Sequence, residues 1–186
     1  LDAYYIRGVS HNISFLNALI AHPRFIKGML TTRFIADEYP DGFHSSDVPH
    51  DDPGLPIAVA AAIHQTHMIR GAQLSGQLPN HERRVGNEWT VIIDKELWPV
   101  TVKSVETGFE ITHGESAYRV ITEWKIGEPL FRADVNGHTV CVQVDDLGAS
   151  YRLYHRGSRV DALVLTHKAA QLHRHMIPKQ PPDLSK

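Results

Sequence analysis

The stretch TVCVQVDDLGASYRLYHRGSRVDALVL, residues 139–165, decides the fold. It holds three short runs of β-forming residues, and apolar residues alternate with others in the first, at Val140, Val142 and Val144. Turn signals separate the runs, first DDLG at 145–148 and then Arg156-Gly157. Strands this close, joined by connections this short, are antiparallel neighbours in one sheet.

The same pattern extends upstream to residue 88. Asn136-Gly137 is the strongest hairpin signal, because Asn-Gly suits a type I′ turn. Consecutive short strands of this kind favour an up-and-down barrel, in which the first strand closes on the last. The sequence predicts eight strands, at 88–94, 97–105, 108–112, 117–124, 130–135, 139–145, 150–155 and 159–165.

A long helix is predicted immediately before the barrel, over residues 55–77. Pro56 suits a first helical turn, and the alanine-rich run 58–62 has high helix propensity. The helix is apolar over much of its surface, which is typical of a helix buried on several sides. We therefore expect an α+β fold with this helix within or against the eight-stranded antiparallel barrel. The helix residues expected to face the strands are Ile57, Ala61, Ile63, Met68 and Ala72.

Shorter elements flank these two. Residues 1–43 form a small α/β segment with a strand-like run at 3–6 and helical patterns near 13–20 and 31–36, too little to fold alone. Residues 44–54 are rich in Asp, Pro, Ser and Gly and are predicted to be a linker. A short helix is expected at 168–176, followed by a proline-rich, disordered tail at 178–186.

Composition argues against several classes of protein. The net charge of −2 gives no basic excess for nucleic acid, and one cysteine cannot form an internal disulfide. No apolar run approaches the ~20 residues that a membrane span requires. The pattern is that of an ordinary globular protein without a nucleic-acid or membrane partner.

Motifs for catalysis are not evident. The sequence contains no phosphate-binding GxxxxGK[ST], no GxSxG and no CxxC. Among the thirteen histidines, His64 and His67 have a spacing that can chelate a metal, but no third ligand is placed by the sequence. Two alternatives stay open: a metal-dependent hydrolase using these histidines, and a small-ligand carrier with a cavity in the barrel. The second depends on whether the helix fills the barrel.

Residues 78–87 form an unusually long connection between the predicted helix and the first strand. A charged, proline-containing loop of this length is either a solvated connection or a contact surface. It combines apolar side chains with charges of both signs. The candidate site residues are Leu78, Pro79, Asn80, His81, Glu82, Arg83, Arg84 and Val85.

Three motifs in the first region resemble a known family. YIRGVSHNI at 5–13, TTRFI at 31–35 and YPDGF at 39–43 resemble the C-terminal end of the biotin carboxylase domain in biotin-dependent acyl-CoA carboxylase α subunits, most of all the propionyl-CoA carboxylase type. The order helix, loop, eight strands and short helix is similar to the next domain of those subunits, the BT or mediating domain. The resemblance covers essentially the whole chain.

The resemblance implies a division of the chain and a function. Residues 1–43 would end a biotin carboxylase domain, 55–177 would be the BT domain, and 178–186 would lead to a biotin carrier domain. The loop 78–87 would be the "hook" that contacts the carboxyltransferase β subunit. The residues of this chain would bind no cofactor, whereas the parent enzyme uses biotin, ATP and Mg. The parent would lie in the cytoplasm of a bacterium or in the mitochondrial matrix of a eukaryote.

Overall fold

The structure is a computed structural model that describes residues 2–6, 9, 11–43 and 52–176. Its central feature is a closed barrel of eight antiparallel strands, as the sequence predicted. Each strand pairs with its neighbours in chain order, and β1 closes the barrel on β8. The strands are β1 Glu88–Ile93, β2 Glu96–Val105, β3 Gly108–His113, β4 Ser116–Thr122, β5 Leu130–Val135, β6 His138–Asp146, β7 Tyr151–His155 and β8 Ser158–Leu165.

The two ends of the barrel differ. One end, the turn end, carries the connections 94–95, 114–115, 136–137 and 156–157, each only two residues long. In three of them, Asp94-Lys95, Asn136-Gly137 and Arg156-Gly157, both residues have positive φ, the signature of type I′ turns that match strand twist. The other end, the hook end, carries three longer connections, 73–87, 123–129 and 147–150. The two-residue connection 106–107 lies at this end as well.

The helix α4, Gly54–Ala72, occupies the barrel interior. Residues 57–63 are all at most 3% exposed, and they share one apolar cluster with the inward-facing residues of every strand. The interior of an eight-stranded barrel is narrow, so a helix inside it needs small side chains. Ala58, Ala60, Ala61 and Ala62 supply them and are fully buried. The expectation of a long helix within or against the barrel is confirmed.

The helix ends earlier than the sequence suggested. It was expected to continue to residue 77, but it stops at Ala72, and Met68 and Ala72 are only half-buried. These residues belong to the part of the helix nearest the hook end, where strand walls no longer surround it. Gly76, with φ +84, lies in the connection that follows.

The first region consists of three short helices, α1 Ile13–Ala21, α2 Pro23–Ile26 and α3 Phe34–Glu38. The sequence did not predict α2, and α3 begins later than expected. Residues 3–6, expected as a strand-like run, do not form a β-strand in the structure. The final helix, α5 His167–His173, starts with a Thr166 cap that accepts a hydrogen bond from the Ala169 amide. No described helix has the length and apolarity needed to cross a membrane.

Asp2 and Tyr4 lie on the outside of the barrel, against β6. Gln143 of β6 donates hydrogen bonds to the carbonyls of Asp2 and Tyr4, at 3.0 and 2.9 Å. The Asp2 carboxylate accepts a bond from the Arg156 amide and lies 3.5 Å from His155 Nδ1. These contacts explain why Gln143 is buried although it points away from the barrel interior.

Candidate functional site

The hook, residues 78–87, emerges where α4 leaves the barrel. Its tip is a β-turn over Leu78–His81, closed by a 3.0 Å hydrogen bond from the His81 amide to the Leu78 carbonyl. Pro79 and Asn80 occupy the central positions, and Asn80 has φ +68. Proline followed by a residue of positive φ is the sequence preference of a type II turn. The tip is therefore formed by its own local sequence.

Gln77 holds the base of the hook together. Its side-chain amide donates to the carbonyls of Ala72 and Leu74, at 2.7 and 2.9 Å, which satisfies groups left unpaired at the end of α4. Its side-chain oxygen accepts a 2.6 Å hydrogen bond from the Arg83 amide. One side chain thus joins the helix end to the far side of the hook. Gln77 was not predicted from the sequence as a site residue, although carbonyls at a helix end need such a donor.

A second connection ties the hook to the barrel core. Gln65, 4% exposed, accepts a 2.7 Å hydrogen bond from Trp89 Nε1 and donates a 3.2 Å bond to the Gly86 carbonyl. Val85 packs partly buried against the core cluster. Residues 85 and 86 are therefore held in place before any partner arrives.

The two hook arginines have different surroundings. Arg83 lies along α4: its Nη2 is 3.3 Å from Met68 Sδ, and its Nη1 would lie 3.2 Å from a Cβ added at Gly71. Arg84 is exposed and makes no hydrogen bond or ion pair with any described residue. Both arginines are exposed, and Arg83 in addition contacts Met68 of α4.

The exposed surface of the hook is apolar and basic. Leu78 is 71% exposed, and Leu74, which the sequence analysis did not select, is 65% exposed. Pro79, His81 and Arg84 are exposed beside them. Glu82 turns back on the loop, where its carboxylate accepts a 3.1 Å hydrogen bond from the Asn80 amide. Exposed leucines beside an arginine on a fixed loop are suited to contact another macromolecule.

His64 of α4 is a partly buried histidine near the hook end of the barrel. Its ring stands edge-on to Trp89 at 4.6 Å, and its Nδ1 lies 3.3 Å from the Tyr151 hydroxyl. Burial lowers the pKa of His64 to about 4, with smaller contributions from the positive charges of His67 and Arg83. His67 turns instead toward Asp146, 3.8 Å away. Within the described ranges, no three His, Cys, Asp or Glu side chains are grouped to hold a metal.

Residues 57–63 of α4 fill the middle of the barrel interior. A separate cavity of about 530 Å³ lies at the turn end, between the start of α4 and strands β5–β8. Its lining mixes Leu55, Val142 and Leu153 with His138 and Arg156. It lies at the opposite end of the barrel from the hook.

Comparison with known proteins assigns the barrel and its helix to a family. Residues 57–179 match the family model described as "Propionyl-coenzyme A carboxylase BT domain". The chain belongs to this family. The matched residues include nearly all of α4, the hook, the eight strands and α5.

Individual relatives extend the similarity to the first region. The propionyl-CoA carboxylase alpha chain of Ruegeria pomeroyi is 38% identical over 187 residues, covering 100% of this chain and 28% of that protein. The mitochondrial propionyl-CoA carboxylase alpha chain of Rattus norvegicus is 30% identical over 190 residues, which cover 100% of this chain and 26% of the rat protein. The chain thus spans about a quarter of the length of these BT-domain relatives.

Replacing His64 with glutamine should flatten the acid dependence of stability. Because the folded-state pKa of His64 is about 4, below the ordinary 6.5, the unfolded chain takes up this proton first as the pH falls. The wild type should therefore lose stability progressively between pH 6.5 and 4, having kept it fully above pH 6.5. Melting temperatures at pH 7 and pH 5 test this, with the exposed His138→Gln as control. Equal slopes in wild type and His64→Gln would refute it.

Proposed function

We propose that this chain is a non-catalytic assembly region of a propionyl-CoA carboxylase α chain, and that it joins that chain to the carboxyltransferase β subunit. The hook 78–87 is the principal contact. The observation that supports this best is a loop exposing Leu78 and Arg84 on a base that Gln77 and Gln65 hold in place. A preformed loop loses little conformational entropy on binding, so more of its contact energy appears as affinity.

The proposal extends to the division of the chain. Residues 1–43 are the end of a biotin carboxylase domain, 44–54 a linker, 55–177 the BT domain and 178–186 a linker toward a biotin carrier domain. Residues 44–51 and 177–186 lie outside the described part of the structure. Support comes from the family match over 57–179 and from relatives whose similarity includes the first region.

The proposal also includes the parent reaction. The whole enzyme carboxylates propionyl-CoA with ATP, Mg, bicarbonate and biotin, and this region contributes no reacting group. A rigid coupler fixes the distance that a tethered biotin travels between two active sites, which sustains its effective concentration at both. The parent lies in the bacterial cytoplasm or the mitochondrial matrix, in keeping with relatives of both kinds.

The test is to place Leu78→Asp with Arg84→Glu in the full-length α chain and to measure its affinity for the cognate β subunit. The dissociation constant should rise at least about 30-fold, as when hot-spot contacts worth roughly 2 kcal/mol are lost. Arg83 is left intact because its side chain lies against α4. The melting temperature should stay unchanged, since both replaced side chains are exposed.

A matched control places equivalent charge changes at the turn end, with Lys95→Glu and Thr139→Asp, which are also exposed. This control should bind the β subunit as the wild type does. Undiminished binding by the hook variant would remove the hook from its proposed role.

A further inference from the structure

A second feature of the hook end is a groove between two barrel connections. It has a volume of about 530 Å³ and lies between the β4–β5 connection, 123–129, and the β6–β7 connection, 147–150. Trp124 and Tyr151 line it with aromatic rings, and Ile126 and Leu147 add aliphatic surface. His67 of α4 lies between the two rings, with centroids 6.2 Å from Trp124 and 5.7 Å from Tyr151.

The polar ends of these rings are already engaged. Trp124 Nε1 donates a 2.9 Å hydrogen bond to the Glu128 carbonyl, and the Tyr151 hydroxyl lies 3.3 Å from His64 Nδ1. Trp124 and Tyr151 are only 9% and 7% exposed, so the groove offers a guest a small area of the two rings beside the aliphatic side chains of Ile126 and Leu147.

Carboxylates surround this surface. Asp146, Asp145 and Glu128 line the groove, and the Asp146 side chain is 51% exposed. One Asp146 oxygen accepts a 2.8 Å bond from the Gly148 amide, while the other lies 3.8 Å from His67 Nε2. Glu128 accepts a 3.3 Å bond from the Lys125 amide and is otherwise exposed. The groove thus combines an aromatic interior with a negative rim.

We propose that this groove receives a basic side chain, arginine or lysine, of the same carboxyltransferase β subunit that the hook contacts. The inference rests on the proposed function and adds a second contact of stated chemistry to it. A guanidinium or ammonium group is attracted to aromatic faces, and carboxylates at the rim form charge-assisted hydrogen bonds with it. An acidic guest would be repelled by the negative charges of these carboxylates.

The groove and the hook both lie beside the C-terminal end of α4, so one partner can contact both. His67, which lines the groove, lies one helical turn before Gly71, against which Arg83 of the hook is placed. The basic hook surface and the acidic groove therefore flank the same end of α4. A partner that covers the hook with acidic and apolar groups can present a basic group to the groove beside it.

The experiment uses the full-length α chain and its β subunit. Asp146→Asn with Glu128→Gln removes two rim charges yet keeps oxygens that can accept from the Gly148 and Lys125 amides, so folding should be preserved. The dissociation constant for the β subunit should rise about three- to tenfold, as expected for partly exposed charge pairs. The salt dependence of association should also become weaker. The matched control, Glu96→Gln with Glu115→Gln, removes two exposed carboxylates near the turn end and should change neither value.

Leu147→Lys provides a second variant in case the first one misfolds. Leu147 is 49% exposed, so the lysine is tolerated, and its charge would repel a basic guest. Unchanged affinity in both groove variants, while Leu78→Asp/Arg84→Glu fails to bind, would overturn the groove proposal and leave the hook in place. Loss of α-chain self-association without loss of β binding would also overturn it. Unchanged β binding in the hook and groove variants alike would contradict the proposed function itself.

Discussion

Replacing Ile63 with aspartate should destabilise this chain by about 4 kcal/mol, because it places an unpaired carboxylate inside the barrel. Ile63 is 0% exposed and belongs to the cluster in which α4 meets the strand walls. Urea denaturation of the isolated chain measures the loss as a lower midpoint. A variant that is already unfolded at zero urea would also agree with a loss of about this size.

Met68→Asp, five residues later on the same helix, is the matched control. Met68 is half-buried, and its sulfur lies 3.3 Å from Arg83 Nη2, so the new carboxylate would gain a nearby cation. We expect it to cost less than half as much as Ile63→Asp. Equal losses from the two variants would mean that the helix is surrounded by the barrel along its whole length, as the sequence alone had suggested.

Replacing Gln65 with leucine should cost about 2 kcal/mol. The change leaves the buried Trp89 Nε1–H without its acceptor and removes the donor to the Gly86 carbonyl. A buried polar group without a partner costs roughly 1–3 kcal/mol. Thermal unfolding measures the change in stability. Amide exchange at residues 85–87 should also become faster, because the base of the hook has lost its connection to the core.

The double variant Gln65→Leu/Trp89→Phe separates the two effects. Trp89→Phe removes the indole N–H but also leaves a cavity in the core, so the matched reference is Trp89→Phe alone. Gln65→Leu should cost less stability in the Trp89→Phe background than in the wild type. The hook base should stay loose in the double variant, because Gly86 still lacks its donor. An equal cost of Gln65→Leu in both backgrounds would mean that the cost does not arise from the Trp89 hydrogen bond.

The barrel could be predicted because its signals are local. The alternation at Val140, Val142 and Val144 and the Asn136-Gly137 turn both act between neighbouring residues. The position of α4 followed from its apolar, alanine-rich surface. The end of α4 did not, since it depends on where the strand walls stop and on the Gln77 side chain. The placement of Asp2 and Tyr4 on Gln143 depends on contacts about 140 residues apart, which no local pattern reveals.

The loop 78–87 was selected as a candidate contact surface from its length and composition, but its internal organisation could not be predicted. Arg83 and Arg84 are adjacent, identical in type and both exposed, yet the fold places Arg83 against Met68 of α4. Leu74 was overlooked because it was assigned to the helix rather than to an exposed connection. The groove joins His67, Trp124 and Asp146 from three separate stretches of sequence, so only the closed barrel brings them together.

Hydrogen–deuterium exchange of the full-length α chain, with and without its β subunit, tests the docking role most directly. The account predicts that amides of residues 78–87 exchange more slowly in the complex, while the turn-end connections 94–95, 136–137 and 156–157 are unaffected. The hook amides need not be the slowest in the free chain, because binding is measured as a difference. Slower exchange confined to the turn end, with the hook unchanged, would contradict the central claim.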